Sequence, residues 1–180
     1  FTKMKTIFNT NNCQLIEFQL FGPITSFIGL YNYSHILLEQ YECFQKMSYR
    51  NRFQLQKPDG IQNMSIPLKG GRDKMNRPMM EVAINYEEKW IKEQTRTLQT
   101  LYNNSPFYTH YEPAILALYE KRFVYLWEFC LASLKWVLGE LRWDGNLTTT
   151  NSYELLIPPA WEDSRNRYRP TNRAQFAIPS

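Results

Sequence analysis

The sequence predicts an α/β fold: a small mixed sheet with an amino-terminal βαβ unit, a β-hairpin and a carboxyl-terminal helical layer. Three observations predict it. Two short apolar runs, residues 13–20 and 35–39, flank a stretch with helical spacing. Two alternating runs, 51–56 and 62–68, meet at Pro58-Asp59-Gly60. Residues 90–142 then show the 3.6-residue apolar period of packed helices.

Taken in order, residues 13–20 read as a strand through Leu15, Phe18 and Leu20, closed by Gly22-Pro23. Residues 24–33 place Ile24, Phe27, Ile28 and Tyr31 on one helical side. His35 opens a short apolar run that ends on Glu39, the pattern of a buried strand. Strand, helix and strand in so short a span predict a parallel, right-handed crossover. Ligands of such sheets gather at the carboxyl ends of the strands, where Glu39 sits, with Glu42 soon after.

In the hairpin, residues 51–56 as a strand put Arg50 and Arg52 on one face and Phe53 and Leu55 on the other. Proline and glycine supply the turn, and Met64, Ile66 and Leu68 line one face of the return. Residues 82–85 are a possible strand. Helices follow at 90–102, at 112–122 with Pro113 in the first turn, and at 125–142. Asp144-Gly145-Asn146 reads as a turn and residues 152–157 as a last strand. The expected layout is one domain over 1–180, with an α/β part at about 13–86, a helical part at about 88–142 and an extension at about 152–180.

Composition excludes several classes. Cys13, Cys43 and Cys130 are far apart with no CxxC, which opposes a disulfide scaffold and a zinc site. Cys130 falls on an apolar helical stripe, as a buried thiol does. No apolar stretch has the length of a membrane span. Residues 1–12 are polar without a cleavage pattern, so the cytoplasm is the expected compartment. The chain opens on Phe1 and stops at Ser180 without a terminating element, as expected of a sequence lacking residues at one or both ends or within it.

Charge is local. Between Lys46 and Arg77 eight basic residues oppose only Asp59 and Asp73, a net +6 in a chain of net +4. Such a segment suggests an anion site better than a wholly basic surface would. Arg50, Arg52, Lys69 and Arg72 are its candidate ligands: an arginine fork suits phosphate, and Gly70-Gly71 lets backbone N–H groups approach it. Asn51 would orient a polar group. The alternative is a solvated hairpin tip with ordinary surface charge. Arg165, Arg167 and Arg169 alternate in the tail, either as an ordered return to that site or as a mobile tail. Nucleic acid is an unfavoured partner, because the excess charge is modest and no nucleic-acid motif is present.

No HExxH, GxSxG, GxGxxG or P-loop pattern occurs, and His35 and His110 are isolated. Acid–base chemistry then falls to carboxylates, Glu17 and Glu39 first, with Glu42 and Asp163 behind them, or to tyrosines. No residues have metal-ligand spacing, which leaves scattered carboxylates as the one route to a metal site, and the sequence does not name a cofactor.

Several blocks occur in order: Phe21-Gly22-Pro23 with Phe27, the run from Ile36 to Glu39, Ser48-Tyr49-Arg50-Asn51-Arg52, Lys57-Pro58-Asp59-Gly60 and Ser65-Ile66-Pro67-Leu68. Trp90, Lys92, Arg96, Tyr102, Pro106, Phe107 and Tyr111 follow, then Asp163-Ser164-Arg165-Asn166. In this order they resemble the WbqC-like family of bacterial proteins. Two departures stand out. Where many members read His-Gln-Pro, this chain has Glu17-Phe18-Gln19; where many have a histidine after the tryptophan, it has Gln94. The resemblance implies a cytoplasmic bacterial protein associated with surface polysaccharide (O-antigen) synthesis. On that footing the expected function is a transferase or substrate-binding protein taking a phosphate-bearing donor, a nucleotide sugar or an acyl thioester. The alternative is a non-catalytic protein docking its basic face on an acidic protein partner or a membrane surface.

Overall fold

The computed structural model describes residues 12–70, 77–154 and 156–170. Its architecture is α/β. A four-stranded, all-parallel sheet runs in the order β5-β2-β1-β6, from β1 (Cys13–Glu17), β2 (His35–Glu39), β5 (Asn146–Thr149) and β6 (Trp161–Asp163). A separate antiparallel hairpin joins β3 (Arg52–Lys57) to β4 (Gly60–Ser65). The helices are α1 (Ile24–Leu30), α2 (Trp90–Tyr102), α3 (Tyr108–Glu120) and α4 (Leu126–Glu140).

β1 is central and buried along its whole length. A parallel strand covered on both faces reads as a continuous apolar run, and Leu15-Ile16 between short polar ends is that run. The two-residue period divides the sheet. Ile16, Ile36 and Leu38 join the main core with Phe18, Leu30, Phe53, Trp90 and Phe129. Cys13, Leu15 and Leu37 form a smaller cluster against Ile157 and Trp161 on the opposite face. Glu17 and Glu39 continue this second set by alternation.

The hairpin buries Phe53 and Met64 in the main core, and Ile66 and Leu68 follow beyond β4. Along α2 the buried positions are Trp90, Gln94 and Leu98, four residues apart. At the start of α4 the Glu128 carboxylate reaches back to the Tyr125 N–H at 3.0 Å, satisfying an N-terminal donor.

Several elements differ from the sequence reading. The mixed sheet is two sheets, one wholly parallel and one hairpin. The first β3 residue is Arg52, so Arg50 lies in the turn before the strand and does not share its face. Residues 82–85 contribute only isolated bridges, Leu68 with Ile84 and Ala83 with Tyr125. Helix α3 starts at Tyr108, from Phe107 in the left-handed region at φ 65, which places Pro113 in its interior. The predicted turn at Asn146 opens β5 instead, and the described residues of 152–157 form no strand. These strands were hidden because β5 and β6 are short and largely polar, held by ladder bonds and not by an apolar alternation.

Candidate functional site: a buried acid–arginine cluster beside a cleft

Glu17 and Glu39 are the last residues of β1 and β2 and are register partners. Both side chains are buried, at 2% and 0% exposure. A third carboxylate, Glu42, follows β2 at 6%. The three acids gather at the carboxyl ends of the two central parallel strands.

Two arginines meet them. Arg50 is 1% exposed, and its guanidinium grips Glu42 with both ends, Nε to Oε1 at 2.9 Å and Nη2 to Oε2 at 2.6 Å. Its position follows from the chain around it. The Tyr49 carbonyl accepts the Leu20 N–H at 2.8 Å, and the Arg50 carbonyl accepts the Cys130 thiol at 3.2 Å. This pins the segment between the end of β1 and helix α4. Cys130 is buried, and burial pushes its thiol far up, away from a nucleophilic thiolate.

Arg165 comes from the segment after β6. Its Nη1 donates to Glu39 Oε2 at 3.2 Å, and its other nitrogens hold Asp163 at 2.8 and 3.0 Å. The next residue, Asn166, adopts φ 59, a left-handed conformation that asparagine tolerates. It bridges the cluster: its N–H donates to Glu17 Oε2 at 2.8 Å and its Oδ1 accepts from Arg50 Nη2 at 3.0 Å. Tyr168 is buried, and its hydroxyl lies 2.7 Å from where a Cβ on Gly29 would stand. Residues 163–168 thus form an ordered strap over the strand ends. The segment is ordered, but its arginines pair with Glu39, Asp163 and Glu162 instead of joining Arg52 and Lys69.

The three acids have different duties. Each Glu39 oxygen takes two donors. Oε1 accepts the Tyr41 N–H at 2.9 Å and the Thr150 hydroxyl at 3.0 Å; Oε2 accepts the Glu154 N–H and Arg165 Nη1, both at 3.2 Å. With four acceptor positions filled, Glu39 clamps the segments after β2 and β5 together. Glu17 takes Gln19 Nε2 at 2.8 Å on one oxygen and Asn166 on the other. Glu42 differs because it lines an open cleft of about 410 Å³, formed by Tyr41, Glu42, Cys43, Phe44, Gln45 and Tyr153. Burial pushes the Glu42 carboxyl up; Arg50 pulls it back, and the nearby charges of Glu17 and Glu39 push it up further. Tyr41 and Tyr153 flank the cleft half-exposed, and Arg165 stacks over the Tyr153 ring at 5.1 Å.

The remaining expected site residues are dispersed. Asn51 closes the mouth of the hairpin, its Nδ2 donating to the Ile66 carbonyl at 3.1 Å. Arg52 is half-buried and reaches the Met47 sulfur. Lys69 is exposed. Arg167 pairs with Glu162 at 2.7 Å. Arg72 lies outside the described residues. Lys57 is tied to Asp59 at the turn, and the outer hairpin face carries Arg52, Gln54, Gln56 and Asn63. The structure therefore joins Glu17, Glu39, Arg50 and Arg165, and separates them from Asn51 and Lys69 in hydrogen bonding.

Three contributors were not in the expected set, Asn166, Tyr41 and Tyr153, and Glu42, a lesser candidate, is the acid that lines the cleft. Glu42 had a signal, three residues past Glu39 at a strand's carboxyl end. Asn166 had one in the Asp-Ser-Arg-Asn string. The tyrosines had none, among 12 in the chain. Among the described residues no group of three His, Cys, Asp or Glu side chains is placed to hold a metal ion. No helix among them is long and apolar enough to cross a membrane.

The WbqC-like protein family model matches residues 27–158. The chain belongs to this family. The WbqC-like match takes in Glu39, Glu42, Arg50 and the whole cleft lining; Glu17 and the strap lie beyond its limits. No curated protein and no solved structure matches the chain. The two departures from the WbqC-like pattern occupy separate places. Glu17 is in the cluster. Gln94 is buried elsewhere, its Nε2 donating to the Ser65 carbonyl at 2.8 Å and its Oε1 accepting the Tyr119 hydroxyl at 3.0 Å.

Proposed function

We propose that this chain binds a sugar carried on a phosphate-bearing donor, as a transferase or substrate-binding protein of bacterial surface polysaccharide synthesis. One observation carries the reading: the cleft at the carboxyl end of β2 presents two half-exposed tyrosines beside a buried carboxylate–guanidinium pair. Aromatic faces pack on the apolar face of a sugar ring, and a few fixed polar groups read its hydroxyls. The position is where ligands of parallel α/β sheets bind.

Roles follow from the contacts. Tyr41 and Tyr153 hold the ring. Glu42 is the acid–base group: it faces the cleft, its affinity for a proton is raised, and Arg50 fixes its plane. In transfer, an acceptor hydroxyl gives its proton to Glu42 as its oxygen bonds to the sugar carbon and the phosphate leaves with the bonding electrons. Glu39 and Glu17 are positioning residues, since neither lines the cleft and each Glu39 oxygen already holds two donors. The phosphate lies away from this net-negative cluster. A protein-docking role has less support, because the outer hairpin face sets a single arginine, Arg52, among the amides Gln54, Gln56 and Asn63.

The test is a thermal-shift screen with sugar nucleotides, a coenzyme A thioester and inorganic phosphate, with Tyr41→Ala and Tyr153→Ala alongside. Free ligand at about 100 times its dissociation constant should stabilise by roughly 2.7 kcal/mol. Each tyrosine variant should require about tenfold more sugar nucleotide for the same shift. No shift with any sugar nucleotide overturns the proposal.

A further inference from the structure

Asn166 fills the cluster in the manner of a bound group. It offers one acceptor, which Arg50 Nη2 takes at 3.0 Å, and one donor, which Glu17 Oε2 takes at 2.8 Å. A guanidinium and a carboxylate side by side, each meeting the opposite half of a neutral partner, is the recognition pattern for an amide.

A second observation is independent of the strap. Arg50 Nη1 is buried, in a residue only 1% exposed, and has no hydrogen-bond partner among the described residues. Buried polar nitrogens are nearly always satisfied, so an open one marks a demand for an acceptor that the protein does not supply. Charge decides which acceptor. Glu17, Glu39 and Glu42 outnumber Arg50 and Arg165, and a phosphate or carboxylate at this point would stand against Glu17. A neutral carbonyl meets no such repulsion. An oxygen between Nη1 and Nη2 takes a bond from each, and an adjoining N–H serves Glu17.

We infer that the ligand carries an acylamino substituent on its sugar, and that this group displaces Asn166 from Arg50 and Glu17. The inference rests on the sugar-binding reading and adds the substituent that the cluster selects. Access runs past Glu42, which lines the cleft and holds Arg50. Asn166 is itself half-exposed, so it leaves without the core opening.

The test compares UDP-N-acetylglucosamine with UDP-glucose by calorimetry, on wild type and on Asn166→Gly. Glycine keeps the left-handed backbone and its N–H while deleting the competing amide oxygen. The acetamido sugar should bind wild type about tenfold tighter than its hydroxyl counterpart, and Asn166→Gly should strengthen it about tenfold more while leaving UDP-glucose unchanged. Equal binding of both sugars to both proteins overturns this inference and leaves the sugar-binding reading standing. A preference that Asn166→Gly does not alter overturns it too, because the amide is then read elsewhere. Binding of neither sugar overturns this inference, and the sugar-binding reading falls with it only if no other sugar nucleotide shifts the protein's melting.

Discussion

Glu17 and Glu39 end adjacent parallel strands in register, and consecutive strap residues bind them: Asn166 takes Glu17 and Arg165 takes Glu39. Two buried carboxylates this close repel one another unless each is given its own donors. The strap supplies a donor to each. Its β6 pairing with β1, and the Ser164 N–H donating to the Leu15 carbonyl at 2.9 Å, aim it over the strand ends. Local sheet topology thereby fixes the polarity of the site.

Replacing Arg50 should act on stability before it acts on binding. Removing one partner of a buried ion pair leaves the other uncompensated, at a cost of about 3–5 kcal/mol. Arg50→Met and Glu42→Met should each lose about that much in urea unfolding, and the double variant should fall short of the sum by more than about 1 kcal/mol. Loss under about 0.5 kcal/mol in Arg50→Met would show that the pair carries no weight.

Much of this was legible and some was not. The βαβ unit was readable because Leu15-Ile16 and Ile36-Leu37-Leu38 are apolar on both faces, as central parallel strands require. The helix at Trp90–Tyr102 matched because its period survives burial. Arg50 was misplaced for a physical reason. Alternation with Arg52 assumed that the strand began earlier, and charge counting assumed that a basic residue is solvated. Neither assumption detects Glu42, eight residues back, as the partner. The strap was the least legible part, since the contacts that order it span more than 100 residues of sequence.

Glu39→Gln should loosen the strap. A glutamine keeps one acceptor oxygen but turns an amine toward donors that now point at it. With charge-assisted bonds lost, the cost should be about 2 kcal/mol. Trypsin should then cleave after Arg165 or Arg167 several-fold faster than in wild type under native conditions. Unchanged cleavage would show that Arg165 is held by Asp163 alone.

Acid should release the same segment through Asp163. Desolvation raises its carboxyl, but the Arg165 hydrogen bonds and charge outweigh this and hold it below the ordinary 3.8. A folded value lower than the unfolded one gives stability present above the unfolded value and lost as pH falls through the folded one. The side chain is 38% exposed, so the loss should be under about 1 kcal/mol. Melting curves from pH 7 downward should show this loss below the ordinary carboxylate range, and Asp163→Asn should remove it. An identical acid slope in that variant would assign the effect to another carboxylate.

Gln94 tests how the chain departs from its relatives. It is buried between a carbonyl that needs a donor and a hydroxyl that needs an acceptor, Ser65 and Tyr119. Gln94→Leu deletes both functions and should cost about 2–4 kcal/mol, counting two buried groups left unpaired. Neutral histidine, the residue that the family resemblance leads one to expect here, has one donor and one acceptor and should keep most of that stability near pH 8. Burial disfavours the imidazolium, so the folded value of an introduced histidine falls below its unfolded value. Its contribution should therefore fade as pH drops through the folded value. Urea unfolding of Gln94→His at pH 8 and at pH 5 measures both parts. A variant as unstable as Gln94→Leu at pH 8 would mean that ring geometry, not donor and acceptor count, decides this position.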